Sequence, residues 1–247
     1  PSVETVEQRI IDTKPGALLI IPYDNPTGQL FSKETLIEYT KLCVKHNLWI
    51  ISDEAYRELA YEKGKETSSI WALTDKDVPG IEGRRISLET ASKVWNACGL
   101  RIGAIITDNK LCYEKSVAEY TANLSANTLG QYIFGALAHE SHAELHNWYE
   151  QQRDYYRKMI DVRKVAKPGF DGVEFASWCA EHGAVSLDDG KEYTLLMAPL
   201  NGFYSGKKGE DNPGRTQLRV SFCENPDLLR LAPELLSKLF RAYEAQR

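Results

Sequence analysis

Over residues 1–110 the chain alternates apolar runs with amphipathic ones. Residues 17–21 form an unbroken apolar run stopped by Pro22, the pattern of a buried strand. Ser32 then stands where a helix N-cap belongs. Leu36, Tyr39, Leu42 and Cys43 follow at helical spacing to about His46. Further strand runs fall at 48–51, 85–88 and 102–107. Strand–helix–strand order predicts an α/β domain built on a mostly parallel sheet. The link from Leu88 to Ile102 is too short for a crossover helix, so that pair is expected to be antiparallel.

From Leu111 the pattern turns helical. Residues 125–140 and 143–163 contain long helical stretches, and the second leads toward a smaller domain. Residues 173–182 read as a helix, 193–197 and 218–222 as strands, and 226–245 as a closing amphipathic helix. The expected organisation is a large α/β domain over 1–145, with flanking helices, followed by a smaller α+β domain over 146–247. No internal repeat or low-complexity tract interrupts it.

Composition narrows the function classes. Of 247 residues, 43% are hydrophobic and 26% charged, an ordinary globular balance. A net charge of −5 with no basic face argues against nucleic acid, and no apolar run approaches a membrane span. Five cysteines, without a Cys-x-x-Cys pair, fit a reducing compartment, and a cytoplasmic location is expected. The sequence opens on Pro1, and residues 1–13 have no signal-peptide character.

The candidate chemistry collects at strand ends. Asn25 follows the first strand and Asp53 the second. Thr90, Ser92 and Lys93 follow the third, and Arg101 opens the antiparallel return. In this topology all six reach one edge of the sheet, where open α/β sheets bind ligands. Arg101 and the two hydroxyls suit a phosphate. Asp53 suits a protonated ring nitrogen, and Lys93 suits an aldehyde. A phosphate, a pyridinium and an aldehyde together describe pyridoxal phosphate.

Asn25-Pro26-Thr27-Gly28, Ser52-Asp53-Glu54-Ala55-Tyr56, and Ser92-Lys93 followed by Gly99-x-Arg101-x-Gly103 resemble the fold-type I, class I and II aminotransferases. The later segments 198–204 and 218–222 resemble that family's small domain, in an aspartate-aminotransferase-like branch. The resemblance spans nearly the whole chain. It implies a Lys93 aldimine with pyridoxal phosphate and proton shuttling by Lys93. It implies that Asp53 keeps the ring nitrogen charged, and that Asn25 and Tyr56 bind the ring's phenolate oxygen. Thr90, Ser92 and Arg101 would hold the phosphate, and Arg219 would clamp the substrate carboxylate, with Asn25 beside it. The implied reaction moves an amino group from an α-amino acid to a 2-oxo acid, in a homodimer. A β-lyase or decarboxylase on the same fold, or a non-catalytic fragment, are the alternatives.

The sequence departs from the family in four places. The family's N-terminal part, about 170 residues against a usual domain size, would precede Pro1. A loop and strand are expected to be missing around 160–167. Tyr23-Asp24 stands where Pro-Asn is more usual. No arginine lies between Tyr120 and Gln131, where dicarboxylate-specific members carry one. Other motifs fail on spacing. His142-Ala-Glu-Leu-His146, with His139, misplaces the acid of a zinc-protease helix and reads as a solvated face. Gly202-x-x-x-Gly206-Lys207 is one residue short of a P-loop and reads as a loop.

Overall fold

A computed structural model describes residues 1–61, 68–158, 170–204, 212–220 and 225–246. The chain divides into two compact units, Pro1–Asp154 and Tyr155–Arg247.

In the first unit, helix α1 (Val3–Thr13) is capped by Ser2, whose hydroxyl accepts from the Thr5 amide. Strand β1 (Ala17–Ile20) follows, then helix α2 (Lys33–Lys45), capped in the same way by Ser32 accepting from Thr35. Each cap satisfies an amide that the first helical turn leaves without a partner. Strands β2 (Trp49–Asp53), β3 (Arg85–Thr90) and β4 (Gly103–Thr107) complete a sheet of order β1-β2-β3-β4. β1, β2 and β3 are parallel, and β4 runs antiparallel to β3, as the short 88–102 link requires. Leu36, Leu42 and Cys43 of α2 bury against Ile20 and Ile50 of the sheet. Ile70, Leu73, Val78 and Ile81 from the segment between β2 and β3 close this core. Each such side chain contributes about 1.5–3 kcal/mol on leaving water.

Helices α3 (Lys110–Ala122), α4 (Thr128–Gly135) and α5 (His142–Lys158) follow β4. Trp95, just after β3, meets the rings of Phe134, Trp148 and Tyr149. The Trp148 indole donates to the Val94 carbonyl at 2.9 Å. These contacts tie α4 and the start of α5 to the turn that carries Lys93. The expected end of the second helix, and the deletion expected at 160–167, lie outside the described residues.

The second unit has its own core. Helix α6 (Gly172–Glu181) starts at Asp171, whose carboxylate accepts from the Val173 and Glu174 amides. Strands β5 (Val185–Ser186) and β6 (Glu192–Tyr193) pair antiparallel, as do β7 (Ala198–Pro199) and β8 (Leu218–Arg219). Helices α7 (Pro226–Leu229) and α8 (Ala232–Gln246) close the chain. Phe170, Phe175, Leu235, Leu239, Phe240 and Tyr243 pack together.

Two elements differ from expectation. Only Tyr193 of the 193–197 run is paired. Leu195 and Met197 pack on the Phe175 cluster while Leu196 is 71% exposed, so the strand-like alternation reflects an extended segment without a ladder partner. The closing helix is broken at Arg230–Leu231, because Pro233 has no amide to donate to the Leu229 carbonyl. Residues 221–222 of the last expected strand lie outside the described residues. Among the described residues no helix is long and apolar enough to cross a membrane.

Candidate active site

Parallel β1, β2 and β3 end on one edge of their sheet, and antiparallel β4 begins there. Each end is shaped by its own sequence. After β1, a tight loop folds on Asp24. Its amide donates to the Gln29 carbonyl and its carbonyl accepts from Gly28, both at 2.8 Å. Its carboxylate accepts from the amide and hydroxyl of Thr27. Gly28 adopts φ +68°, a left-handed conformation that glycine takes without strain. The loop presents Asn25, whose Nδ2 donates to Tyr56 Oη at 3.1 Å.

Asp53 is the last residue of β2, opposite Leu88 of β3. Its Oδ1 accepts from the Ala55 amide at 3.0 Å, which fixes the turn leading to half-buried Tyr56. The Lys93 ammonium lies over the Tyr56 ring, 5.8 Å from its centroid. Asn25, Tyr56 and Lys93, distant in sequence, therefore form one cluster beside the end of β2. Thr90 and Ser92 form a second group. Their hydroxyls lie 2.9 Å apart, and the Ser92 amide donates to Thr90 Oγ1 at 3.1 Å.

Arg101 sits just before β4 with φ 54°, its side chain exposed. Its guanidinium donates to the carbonyl of Cys98 at 3.0 Å, a local contact with neither hydroxyl. Arg219 lies on β8 in the second unit and is half-buried.

A group unassigned by sequence reasoning lies beneath this cluster. Glu54 is 1% exposed. Its Oε1 accepts from Ser52 Oγ, Ser69 Oγ and the Ile70 amide at 2.9–3.1 Å, while its Oε2 has no hydrogen-bond partner. The Arg57 guanidinium stands 3.8 Å from that Oε2 and donates to Glu89 Oε2 at 3.0 Å. Glu89 also accepts from Ser87, whose hydroxyl accepts from the Trp71 indole. Burial pushes the Glu89 carboxyl above its usual range; Arg57 opposes this, and Glu54 and Asp53 add to it. The available signal was the pair of Ser-x-Glu sequences, 52–54 and 87–89, which puts hydroxyl and carboxylate on the same face of adjacent strands.

The donor set fits pyridoxal phosphate. An amine, an amide and a phenol meet at the strand ends, with a carboxylate and paired hydroxyls on the same edge. These are the groups that an aldehyde, a phenolate, a ring cation and a phosphate each require.

The sequence profile of the family "Aminotransferase class I and II" matches residues 3–196. An aspartate aminotransferase of Thermotoga maritima is 32% identical over 174 residues, 70% of this chain and 43% of that protein. The cystathionine beta-lyase PatB of Bacillus subtilis is 28% identical over 127 residues, 51% of this chain and 30% of that protein. Among solved structures, an aromatic aminotransferase from Pyrococcus horikoshii superposes with a TM-score of 0.76 at 21% identity, over 99% of this chain and 64% of that one. The chain thus spans less than two-thirds of each of these proteins. With most of the chain matched and the fold shared, it belongs to the class I and II aminotransferase family.

Proposed function

We propose that the protein is a pyridoxal-phosphate-dependent aminotransferase that moves an amino group from an α-amino acid to a 2-oxo acid. The observation that carries this reading is the Asn25–Tyr56–Lys93 cluster beside Asp53 at the ends of parallel strands. When bound, the cofactor supplies an aldehyde and an electron-withdrawing ring. Lys93 Nζ is the amine that would hold that aldehyde. As a free amine, Lys93 would be the base that takes the proton from the substrate α-carbon and the acid that gives it back. Asp53 stabilises a positive charge on the ring nitrogen. Asn25 Nδ2 and Tyr56 Oη donate to the ring oxygen, and Thr90, Ser92 and Arg101 bind the phosphate. By resemblance to the family, Arg219 would pair with the substrate carboxylate.

The test uses the full-length protein. Its visible cofactor band should vanish in Lys93→Ala. A borohydride-reducible band retained in that variant would overturn the assignment. The beta-lyase relative favours a second chemistry on the same residues. Product analysis separates the two, because amino transfer requires an added 2-oxo acid, whereas elimination expels the β-substituent of the amino acid and, with water, releases ammonia and a 2-oxo acid without any acceptor. A homodimer is part of the proposal. It is supported by Leu124, Leu129 and Tyr132, which are at least 75% exposed around the start of α4. Sedimentation at a single protomer mass would count against it.

A further inference from the structure

Resting on the cofactor reading above, we infer that Arg57, held between Glu54 and Glu89, is a positioning residue that sets both the seat of Tyr56 and the electrostatic field at the Asp53 end of β2. Ser52 and Ser87 are register partners, and strand residues alternate faces. Ser52, Glu54, Ser87 and Glu89 therefore share the face opposite Asp53. Arg57 comes one residue after Tyr56, and its amide donates to the Glu54 carbonyl at 3.0 Å. Its guanidinium ties β2 to β3 through the 3.0 Å bond to Glu89. The turn that aims Tyr56 at Asn25 and Lys93 is thus anchored from behind by this one cation.

The charges are unbalanced. Asp53, Glu54 and Glu89 carry three carboxylates, with Arg57 between the latter two. Behind Arg57, Glu58 is already paired with Arg153 at 2.7 Å, and Arg153 also holds Glu150. Tyr149 also faces this group, its phenol pushed up by burial and by Glu58 while Arg57 and Arg153 oppose. On the site side stand Tyr56 and the Lys93 ammonium. An ion bridge with a partly exposed cation adds little bracing that packed apolar side chains would not. Three carboxylates so close to a site for a cationic ring give the bridge an electrostatic consequence: Arg57 limits how much negative charge the site feels.

The sign of the effect separates this role from simple bracing. In the full-length protein loaded with pyridoxal phosphate, the pH midpoint of the visible band reports how strongly the protonated cofactor is favoured. Arg57→Met removes a cation and should raise that midpoint by roughly half a pH unit or more. Glu89→Gln removes an anion, keeps the shape, and should lower it. Arg57→Lys should restore the wild-type midpoint while binding the cofactor more weakly, because an ammonium cannot span both carboxylates. Cofactor dissociation constants are measured alongside. If Arg57→Met does not fold, the fall in Glu89→Gln still decides. Shifts of the same sign in Arg57→Met and Glu89→Gln, or no shift in Glu89→Gln, would overturn the inference while leaving the cofactor reading intact. A wild-type protein without a Lys93-dependent band would overturn both.

Discussion

Asn25 and Tyr56 lie 31 residues apart, yet the Asn25 amide nitrogen donates to the Tyr56 hydroxyl at 3.1 Å, joining the loop after β1 to the turn after β2. Asn25 is exposed, so this bond adds little to folding. Under the proposed function, the pair would aim two donors at one point. Asn25→Ala should change the urea midpoint by no more than about 0.5 kcal/mol of stability, the usual limit for an exposed site. Pyridoxal-phosphate affinity should fall about tenfold, the loss expected for one charge-assisted hydrogen bond to the ring oxygen. Titrating the cofactor and unfolding the same preparation checks both. A large stability loss with unchanged affinity would show that the pair is merely structural.

Two carboxylates should give stability–pH slopes of opposite sign. Glu7 on α1 meets Lys45 and His46, at the end of α2, at 2.6 and 2.7 Å. Hydrogen bonds from Lys45 and then His46 hold its carboxyl below the ordinary glutamate value of 4.5. A depressed folded pKa contributes stability above the unfolded value, which is lost as pH falls through the folded one. Glu7→Gln should therefore flatten the acid limb below pH 4.5. Glu89 is the reverse. Burial raises its carboxyl above 4.5, so the folded state binds more protons and stability falls as pH rises from 4.5 toward the folded value. Glu89→Gln should remove that decline. Thermal midpoints of both variants across mildly acidic pH measure the two slopes.

The second unit should fail through its aromatic core. Phe175 is fully buried and touches the rings of Phe170, Trp178, Phe240 and Tyr243, with centroids 5.2–6.3 Å away. Phe175→Ala removes a ring from a packed cluster and should cost about 3–5 kcal/mol. Trp178 is nearly parallel to that ring, so its fluorescence should report the loss at lower urea than signals from the first unit. Coincident loss at the wild-type midpoint would show that the cluster contributes little.

The first unit was legible because its signals are local and redundant. Residues 17–21 are apolar throughout and bounded by Gly16 and Pro22. Ser32 and the spacing from Leu36 to Cys43 mark α2, and the short 88–102 link forces β4 to return antiparallel. From that topology followed the edge shared by Asn25, Asp53, Thr90 and Lys93. What the sequence could not carry is long-range. Tyr193 pairs for two residues before its segment turns to packing, a difference decided by the partner strand. Arg101 opens the return strand on the expected edge, and its guanidinium donates to the carbonyl of Cys98, a rotamer choice without a periodic signature. Glu54 looked like the neighbour of a catalytic aspartate. Its burial depends on Ser69 and Ile70, fifteen and sixteen residues on, which no spacing rule connects to it.

Gly103 should be the least replaceable residue of β4. It faces Thr90 in the antiparallel register, and a Cβ placed on it would stand 2.7 Å from the Glu89 carbonyl oxygen. That neighbour is backbone within the ladder, so it cannot swing aside as a side chain would. Relief requires β4 to lift from β3 at the end where Thr90 carries its hydroxyl and Arg101 begins the return. Gly103→Ala should therefore destabilise the protein by about 1–3 kcal/mol, the range for overpacking a tight contact. It should also weaken pyridoxal phosphate more than it weakens the substrate carboxylate, because the proposed phosphate groups sit on β3 and before β4 whereas Arg219 sits on β8. Cofactor titration and substrate KM, measured on one preparation, test the order of these losses. A variant with weakened substrate binding but native cofactor affinity would show that the β3–β4 junction does not shape the phosphate end of the site.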